Sequence, residues 1–164
     1  MLTMEKYAFY TFKNFDSRII KIGYSDNHVS SISLALEIDE KNETTDFTDQ
    51  VYLQLSEYFG GIRKSFDLPL LLHGTEFQKK VWNALCQIPY GQTRTYKQIA
   101  EYIDNPKACR AVGMANNKNP LMIVVPCHRV IGSNGSLTGY AGGLDIKEEL
   151  LSIEKSPKPL QSKA

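Results

Sequence analysis

The chain has 164 residues, of which 42% are hydrophobic and 23% are charged, and its formal net charge is +1. This composition is typical of a compact soluble protein and excludes a disordered, fibrous or membrane-spanning chain. At this length folding buries roughly 70% of the surface that the unfolded chain exposes, so a core needs no metal or disulfide. The net charge of the whole chain gives no indication of a nucleic-acid partner.

The charge is unevenly distributed along the chain. Residues 1–73 contain seven Lys and Arg against eleven Asp and Glu, whereas residues 74–164 contain twelve against seven. Such asymmetry is one indication of polyanion binding, although chance and a solvated charged face explain it as well. We predict an N-terminal α/β supporting domain, 1–73, and a second domain, 74–164, of which the last roughly eight residues form a flexible tail.

The cysteines and the N-terminus indicate the cellular compartment. Cys86, Cys109 and Cys127 are too far apart for a CxxC metal pattern, and their odd number leaves one thiol outside any disulfide scheme. A reducing compartment is the simplest inference. The N-terminal residues lack the apolar core and cleavage site of a signal peptide. We therefore expect a cytoplasmic protein, or a nuclear one in a eukaryotic host, with no metal and no membrane partner.

The N-terminal region predicts a small β-sheet followed by a helix. Segments rich in β-branched and aromatic residues, typical of strands, lie at 7–12, 18–22 and 29–36. Asp26 and Asn27 supply turn chemistry between the last two segments. After a polar loop, Asp49 is the predicted N-cap of a helix that runs to about Tyr58. An extended segment, 66–72, leads out of this region.

Short helices are predicted from Gly74 onward. Thr75 is the predicted N-cap of the first helix and Thr95 that of the second, and a third helix, 107–116, follows after a short turn. Two short helices joined in this way outline a helix-turn-helix. The same outline is also common among helix pairs in protein cores, so it does not by itself indicate DNA binding.

Small side chains distinguish the third helix. Ala108, Cys109, Ala111 and Gly113 leave Arg110 as a long cation among short neighbours. A helix with few side chains can approach another backbone closely, and one long cation suits a nucleic-acid groove. This pattern favours the DNA-binding interpretation of the helix pair.

A cysteine and a histidine follow an apolar run. The run LMIVV, 121–125, predicts a buried strand, and it is followed by Pro126, Cys127 and His128. Adjacent side chains of a regular strand point to opposite faces, which excludes a direct Cys-His dyad there. Chemistry therefore requires Cys127 to leave strand geometry, which Pro126 permits. A buried structural cysteine beside a hydrogen-bonded histidine explains the same residues without chemistry.

The motif PCHRV, 126–130, closely resembles that of the O6-alkylguanine-DNA alkyltransferases, also called methylated-DNA protein-cysteine methyltransferases. RAVG precedes it at 110–113 and GYAGGLDIKEELLSIE follows at 139–154. The similarity spans about Phe66 to Glu154 and includes GTEFQKKVW, IPYGQTRTY and NKNP. It implies an α+β fold: a small RNase H-like β-sheet with a helix, then a mostly helical, winged-helix-like domain with a helix-turn-helix and a buried active-site cysteine.

The resemblance implies a reaction on Cys127. The thiolate accepts a methyl or larger alkyl group from O6-alkylguanine in DNA, and also from O4-alkylthymine. His128 is the implied base, acting through a bridging water, and Glu154 orients it. Water does not displace sulfur from a thioether under mild conditions, so the protein is consumed in one turnover and needs no cofactor. Without the resemblance, Glu154 reads as an exposed residue at the end of a helix, 145–153.

The implied partner is double-stranded DNA, bound through the minor groove by a monomer. A guanine O6 inside a duplex is beyond the reach of a buried cysteine, so the nucleotide must flip into a pocket. The resemblance makes Arg110 the finger that fills the vacated position, and Tyr96 the residue that rotates the phosphate and hydrogen-bonds the flipped base. Further implied DNA contacts are Ala108, Cys109, Ala111, Gly113, Thr95, Arg129 and Ser133.

Other correspondences complete the implied site. Asn119 organises the active-site turn, although it is also an ordinary turn residue before proline, and Lys147 supports the site. The implied substrate-pocket wall consists of Met122, Val130, Tyr140, Ala141 and Gly142. Two other classes of protein stay open: a helix-turn-helix protein that binds alkylated DNA without catalysis, and a cysteine hydrolase that uses the Cys-His pair on acyl groups.

Overall fold

A computed structural model describes residues 4–155 of the chain. These residues divide into two compact units, one that ends at Leu71 and one that spans Leu72–Lys155. The predicted flexible tail lies outside the described residues. Within residues 4–155, no helix combines the length and apolar character that crossing a membrane requires.

The N-terminal unit contains a three-stranded antiparallel sheet. The strands β1 (Lys6–Phe12), β2 (Arg18–Ser25) and β3 (His28–Ala35) lie side by side in chain order, so the predicted strands are confirmed. Asp26 and Asn27 connect β2 to β3 with φ angles of 48° and 57°. Two consecutive residues with positive φ match the right-handed twist of a hairpin, and Asn and Asp tolerate this conformation better than most residues.

One helix, α1 (Asp46–Phe59), follows the sheet, and its N-cap differs from the prediction. Thr45 is the N-cap: its hydroxyl accepts a hydrogen bond from the N–H of Thr48, and the Thr48 hydroxyl accepts one from the N–H of Thr45. Asp49 lies within the first turn, where its carboxylate accepts a hydrogen bond from the Tyr10 hydroxyl at 2.6 Å. The predicted cap was therefore wrong by one helical turn.

Aromatic side chains join α1 to the sheet. Phe15 stacks on Phe59 with ring centroids 4.1 Å apart, and Phe12 meets the same ring edge-on at 5.3 Å. Each of these three residues is at least 97% buried. Offset and edge-to-face pairs of this kind stabilise a core beyond the area that they bury. The N-terminal unit thus has a hydrophobic core of its own.

The second unit is mostly helical. Its helices are α2 (Glu76–Leu85), α3 (Tyr96–Tyr102), α4 (Cys109–Asn117) and α5 (Leu144–Lys155), and two short strands, β4 (Arg94–Thr95) and β5 (Val130–Ile131), pair in parallel. The predicted caps Thr75 and Thr95 are confirmed, each in a capping box. The indole N–H of Trp82 on α2 donates to the carbonyl of Ala115 on α4 at 2.8 Å, inside the core. The chain as a whole is a mixed α+β protein.

Residues 121–125 do not form the predicted strand. They make buried turns, in which Ile123 has a φ of 75°. The Asn119 side chain satisfies the backbone here: its amide N–H donates to the carbonyl of Val125 at 2.8 Å, and its oxygen accepts from the N–H of Leu121 at 2.9 Å. Because these hydrogen bonds are local, the segment needs no neighbouring strand. The apolar composition indicated burial correctly but not conformation.

Candidate active site

Cys127 begins a single turn of 3-10 helix, Cys127–Arg129, that leads directly into β5. Successive side chains of such a turn are about 120° apart, so the geometric objection to a Cys-His pair in a strand does not apply. The main chain of Cys127 is held at both ends. Its N–H donates to the carbonyl of Val125 at 2.7 Å, and its carbonyl accepts from the Asn116 side chain at 3.3 Å.

The Cys127 thiol is buried, with the residue 5% exposed. Burial raises the pKa of the thiol from its usual 9.0 to about 11, and the side chain of Asn119, the charge of Lys147 and the Tyr140 hydroxyl partly oppose this effect. The Tyr140 hydroxyl is also buried and makes no hydrogen bond of good geometry to any residue among 4–155. The thiol is therefore protonated at neutral pH, and alkylation requires a base to remove its proton.

The buried thiol predicts a loss of stability at alkaline pH. An unfolded thiol ionises near pH 9 and the folded one near pH 11, so the contribution of the neutral thiol is complete below pH 9 and is lost between pH 9 and 11. A pKa difference of this size corresponds to about 2–3 kcal/mol. The titration of Lys147 makes stability change with pH in the opposite direction, because burial lowers the pKa of its ammonium group to about 8.

Comparing the wild type with Cys127→Ala removes the titration of the thiol and its charge coupling with Lys147, and leaves the rest of the chain unchanged. We expect the difference in unfolding free energy between the two, measured by urea denaturation, to shrink by about 2–3 kcal/mol across that pH range. A difference that stays constant with pH would contradict the raised pKa of the thiol.

His128 and Glu154 form a buried pair behind the cysteine. His128 is fully buried and Glu154 is 4% exposed. The imidazole Nε2 lies 2.7 Å from Oε2 of Glu154. Burial lowers the pKa of His128, although the carboxylate opposes this effect, so the imidazole is held neutral near pH 7. The alternative of an exposed Glu154 is wrong, because α5 extends past residue 153 and carries the side chain into the core.

Arg129 lies in the same buried cluster and not on the surface. Its Nε and Nη2 donate to Oε1 and Oε2 of Glu154 at 2.8 and 3.0 Å, and its Nη1 donates to the carbonyl of Ile88 at 2.7 Å. The residue is 7% exposed. We therefore correct the expectation of a DNA contact for Arg129: its guanidinium is buried and bonds to Glu154 and to the carbonyl of Ile88 inside the protein.

Lys147 connects the cysteine turn to the loop before α5. Its side chain is buried, and the ammonium group donates to the carbonyls of Val130 at 2.5 Å and Thr138 at 2.7 Å. The Tyr96 hydroxyl donates to the same carbonyl of Thr138 at 3.0 Å. Tyr96 and Lys147, two residues that the sequence places far apart, therefore meet at one carbonyl oxygen.

Three predicted pocket-wall residues lie together in this loop region. A Cβ added to Gly142 would lie 2.9 Å from the Tyr140 ring and 3.5 Å from the Met122 methyl group. The absence of a side chain at Gly142 thus permits Tyr140 and Met122 to pack closely. Val130 is buried, while Ala141 is exposed at the edge of the loop.

A second group of predicted residues surrounds an open groove along α4, which we call the α4 groove. The groove has a volume of about 510 Å³ and is lined by Tyr96, Cys109, Arg110, Gly113, Met114, Asn117, Thr138 and Gly139. Arg110 is exposed, and a Cβ on Gly113 would lie 3.9 Å from the Tyr96 ring. That distance is an ordinary van der Waals contact, so the Tyr96 ring does not by itself require a glycine at this position.

The remaining predicted DNA contacts lie around these elements. Ala108 is the N-cap of α4, and Ala111 is exposed on that helix. The Thr95 hydroxyl caps α3 by accepting a hydrogen bond from the N–H of Gln98 at 3.1 Å. Ser133 is exposed just after β5. No cluster of three potential metal-ligating side chains occurs among residues 4–155.

Asn116 was not predicted from the sequence as a site residue. This residue lies on α4, is 99% buried and donates its side-chain amide to the carbonyl of Cys127. It therefore links the helix that carries Arg110 directly to the cysteine turn. The helical period gave one signal, because position 116 falls on the same face as buried Val112, where an amide needs a specific partner.

Known proteins resemble this chain in sequence. The family described as 6-O-methylguanine DNA methyltransferase, DNA binding domain, matches residues 76–156, a range that contains the whole buried cluster and α4. The methylated-DNA–protein-cysteine methyltransferase of Methanosarcina mazei is 63% identical over 114 residues, which cover 70% of this chain and 72% of that protein.

Solved structures extend the likeness to the fold. The O6-methylguanine methyltransferase of Mycobacterium tuberculosis superposes with a TM-score of 0.85 at 40% identity, covering 95% of this chain and 96% of that one. The OGT of the same organism in complex with DNA gives 0.78 at 44% identity, covering 86% and 89%. The fold is thus that of the O6-methylguanine DNA methyltransferase class. Within this class, the chain belongs to the methylated-DNA–protein-cysteine methyltransferase family.

Proposed function

We propose that this chain repairs DNA by moving a methyl or larger alkyl group from the O6 of guanine to the sulfur of Cys127, once per protein molecule. The observation that carries the proposal is the buried Cys127 thiol beside the buried His128–Glu154 pair. Sulfur is suited to this displacement because it is a strong nucleophile once ionised. The thioether that forms has no route back, so each molecule acts once.

The groups of this site and the substrate account for every proton and electron pair of the reaction. His128 takes the thiol proton through an intervening water, and Glu154 stabilises the resulting imidazolium. Because Nε2 bonds to Glu154, the proton exchange uses Nδ1. The sulfur then bonds to the alkyl carbon as the carbon–oxygen bond breaks and leaves its electron pair on the guanine. The proton taken from the thiol ends on the guanine, so both products are neutral and no cofactor is consumed.

In our proposal the α4 groove is the surface that meets the DNA minor groove. The minor groove differs little between sequences, which suits a protein whose substrate occurs anywhere. Arg110 fills the position of the flipped nucleotide, and Tyr96 rotates the phosphate and contacts the flipped base. The small residues Ala108, Cys109, Ala111 and Gly113 let α4 approach the sugar-phosphate backbone, with Thr95 and Ser133 at the edges of the contact.

We also propose an oligomeric state and a cellular compartment for the protein. The chain acts as a monomer, because one copy supplies the thiol, the base and the arginine finger. It acts in the cytoplasm, or in the nucleus of a eukaryotic host. Its three cysteines are free thiols in the structure, which a reducing compartment would preserve.

The experiment that tests this function is a mass measurement after a single incubation. We expect the protein, mixed with excess duplex that contains one O6-methylguanine, to gain one methylene per molecule on the peptide that contains Cys127. The gain should stop at one equivalent however long the incubation lasts. An undamaged duplex of the same sequence is the control.

Two other outcomes would assign the chain to a different class. Tight binding of the damaged duplex with no gain in mass would make it a non-catalytic binder of alkylated DNA. Repeated turnover of acyl esters by the Cys127 thiol would indicate a hydrolase. Either result would overturn the repair activity proposed here.

A further inference from the structure

Glu154 accepts more hydrogen bonds than its pairing with the histidine requires. His128 reaches one of its oxygens at 2.7 Å, the Arg129 guanidinium reaches both, and the N–H of Gly91 reaches Oε1 at 3.2 Å. All three side chains are at least 93% buried. A carboxylate held from four directions has one orientation, so the position of its Oε2 relative to the imidazole is fixed.

The charge of Arg129 weakens the tendency of the Glu154 carboxylate to favour protonation of His128. A buried carboxylate that has only an imidazole as its partner favours protonation of the pair. The added proton either neutralises the carboxylate or gives it an imidazolium to balance its charge. Arg129 already supplies a full positive charge at hydrogen-bond distance from both oxygens, and this charge opposes protonation of the neighbouring imidazole. Together with the burial of His128, which is the larger cause of its lowered pKa, this charge keeps the imidazole neutral and able to accept the thiol proton.

Other charged and titratable groups also lie near His128, Glu154 and Arg129. On α5, the charge of Lys147 also opposes protonation of His128, whereas the carboxylate of Glu154 favours it. The thiol of Cys127 neighbours the histidine along the chain. At the end of α2 and in the turn after it, Cys86 and Tyr90 interact electrostatically with Arg129.

We propose that Arg129 is a positioning residue of the alkyl-transfer reaction, which acts through Glu154 to keep His128 ready to take the proton of Cys127. The inference rests on the proposed function. It differs from a merely structural role, in which Arg129 only ties Glu154 to the carbonyl of Ile88. A structural tie would change stability or overall rate but not the pH at which the base becomes available.

Two variants separate the charge of Arg129 from its bulk. Arg129→Met removes the charge and keeps much of the volume, whereas Arg129→Lys keeps the charge with a single donor group. The rate of alkyl transfer from free O6-benzylguanine is measured against pH, since this small substrate needs no DNA contact. The titration of His128 is followed by NMR in the same proteins, which requires no reaction. Arg94→Met is the matched control, because its guanidinium bonds only to Thr93 and Gln92 among the described residues.

We expect the acid limb of the rate profile and the His128 titration to move to higher pH by about one unit in Arg129→Met. Both should stay near the wild-type position in Arg129→Lys and Arg94→Met. A folded Arg129→Met protein that is slower at every pH, with an unmoved titration, would overturn the inference. Removing one partner of a buried ion pair often destabilises a fold, so Arg129→Lys provides a second criterion: a titration shifted by one unit there would show that charge is not the cause. If the wild type transfers no alkyl group, the proposed function fails, while the NMR titration still tests Arg129.

Discussion

Cys127→Ser is expected to abolish alkyl transfer and to leave DNA binding intact. A serine hydroxyl ionises far less readily than a thiol, and the same burial that raises the pKa of the thiol acts against an alkoxide. The neutral hydroxyl is a poor nucleophile toward an alkyl carbon, so we expect a loss of at least about three orders of magnitude in rate. The measurement is the mass of the peptide that contains residue 127 after incubation with an O6-methylguanine duplex.

The other two thiols of the chain provide matched controls. Cys86 is exposed, and Cys109 is partly exposed in the first turn of α4. Cys86→Ser and Cys109→Ser should each accept one alkyl group at the wild-type rate from free O6-benzylguanine. Fluorescence anisotropy with a labelled duplex should show wild-type affinity for Cys127→Ser. Methyl transfer that persists in Cys127→Ser, or a methyl group on either of the other two cysteines, would contradict the assignment.

Local signals identified the elements whose boundaries depend on local bonds. Thr75 and Thr95 were predicted as caps because a capping box is complete within four residues of sequence. The start of α1 was missed although its capping box, Thr45 with Thr48, is equally local. Several residues between 44 and 49 can cap a helix, so their identities alone did not single out Thr45. In the structure the carboxylate of Asp49, the predicted cap, accepts a hydrogen bond from Tyr10 of a distant strand.

For residues 121–125 the sequence predicted burial correctly but predicted the wrong conformation. Their composition correctly indicated burial, because apolar side chains have to be removed from water whatever the backbone does. The conformation depended on whether the backbone could be satisfied without a strand partner. A single side chain, Asn119, provides two hydrogen bonds that satisfy this backbone. Both interpretations of Asn119 from the sequence placed it in a turn, but neither extended that turn into the apolar run.

The site shows what a motif resemblance adds and where it misleads. Periodicity left Glu154 as an exposed helix end, and only the resemblance brought it to His128, which the structure places 2.7 Å away. The same resemblance assigned Arg129 to DNA. Its carboxylate partner lies 25 residues further along the chain, so the sequence offers no local indication that the guanidinium is buried. The roles of these residues in the reaction stay predictions.

Arg110→Ala is expected to slow repair of a duplex by about 10- to 100-fold while leaving the reaction with free O6-benzylguanine unchanged. Extruding a nucleotide costs a few kcal/mol, and a side chain that fills the vacated stack recovers part of that cost. A loss of about 1.4–2.8 kcal/mol of this stabilisation gives the stated range. Free O6-benzylguanine needs no flipping, so an exposed side chain on α4 has no effect on its reaction with Cys127.

The substrate series for Arg110→Ala separates flipping from simple charge loss. A single-stranded oligonucleotide has less stacking to break than a duplex, so the defect should be intermediate there. Lys118→Ala removes another exposed cation, at the end of α4, and should weaken DNA binding slightly in a salt-dependent way without changing the rate at saturation. The decisive measurement is the single-turnover rate at saturating DNA, because flipping occurs after binding. Equal losses on duplex, single strand and free base would refute the finger role, since a defect that ignores base stacking must act on the cysteine itself.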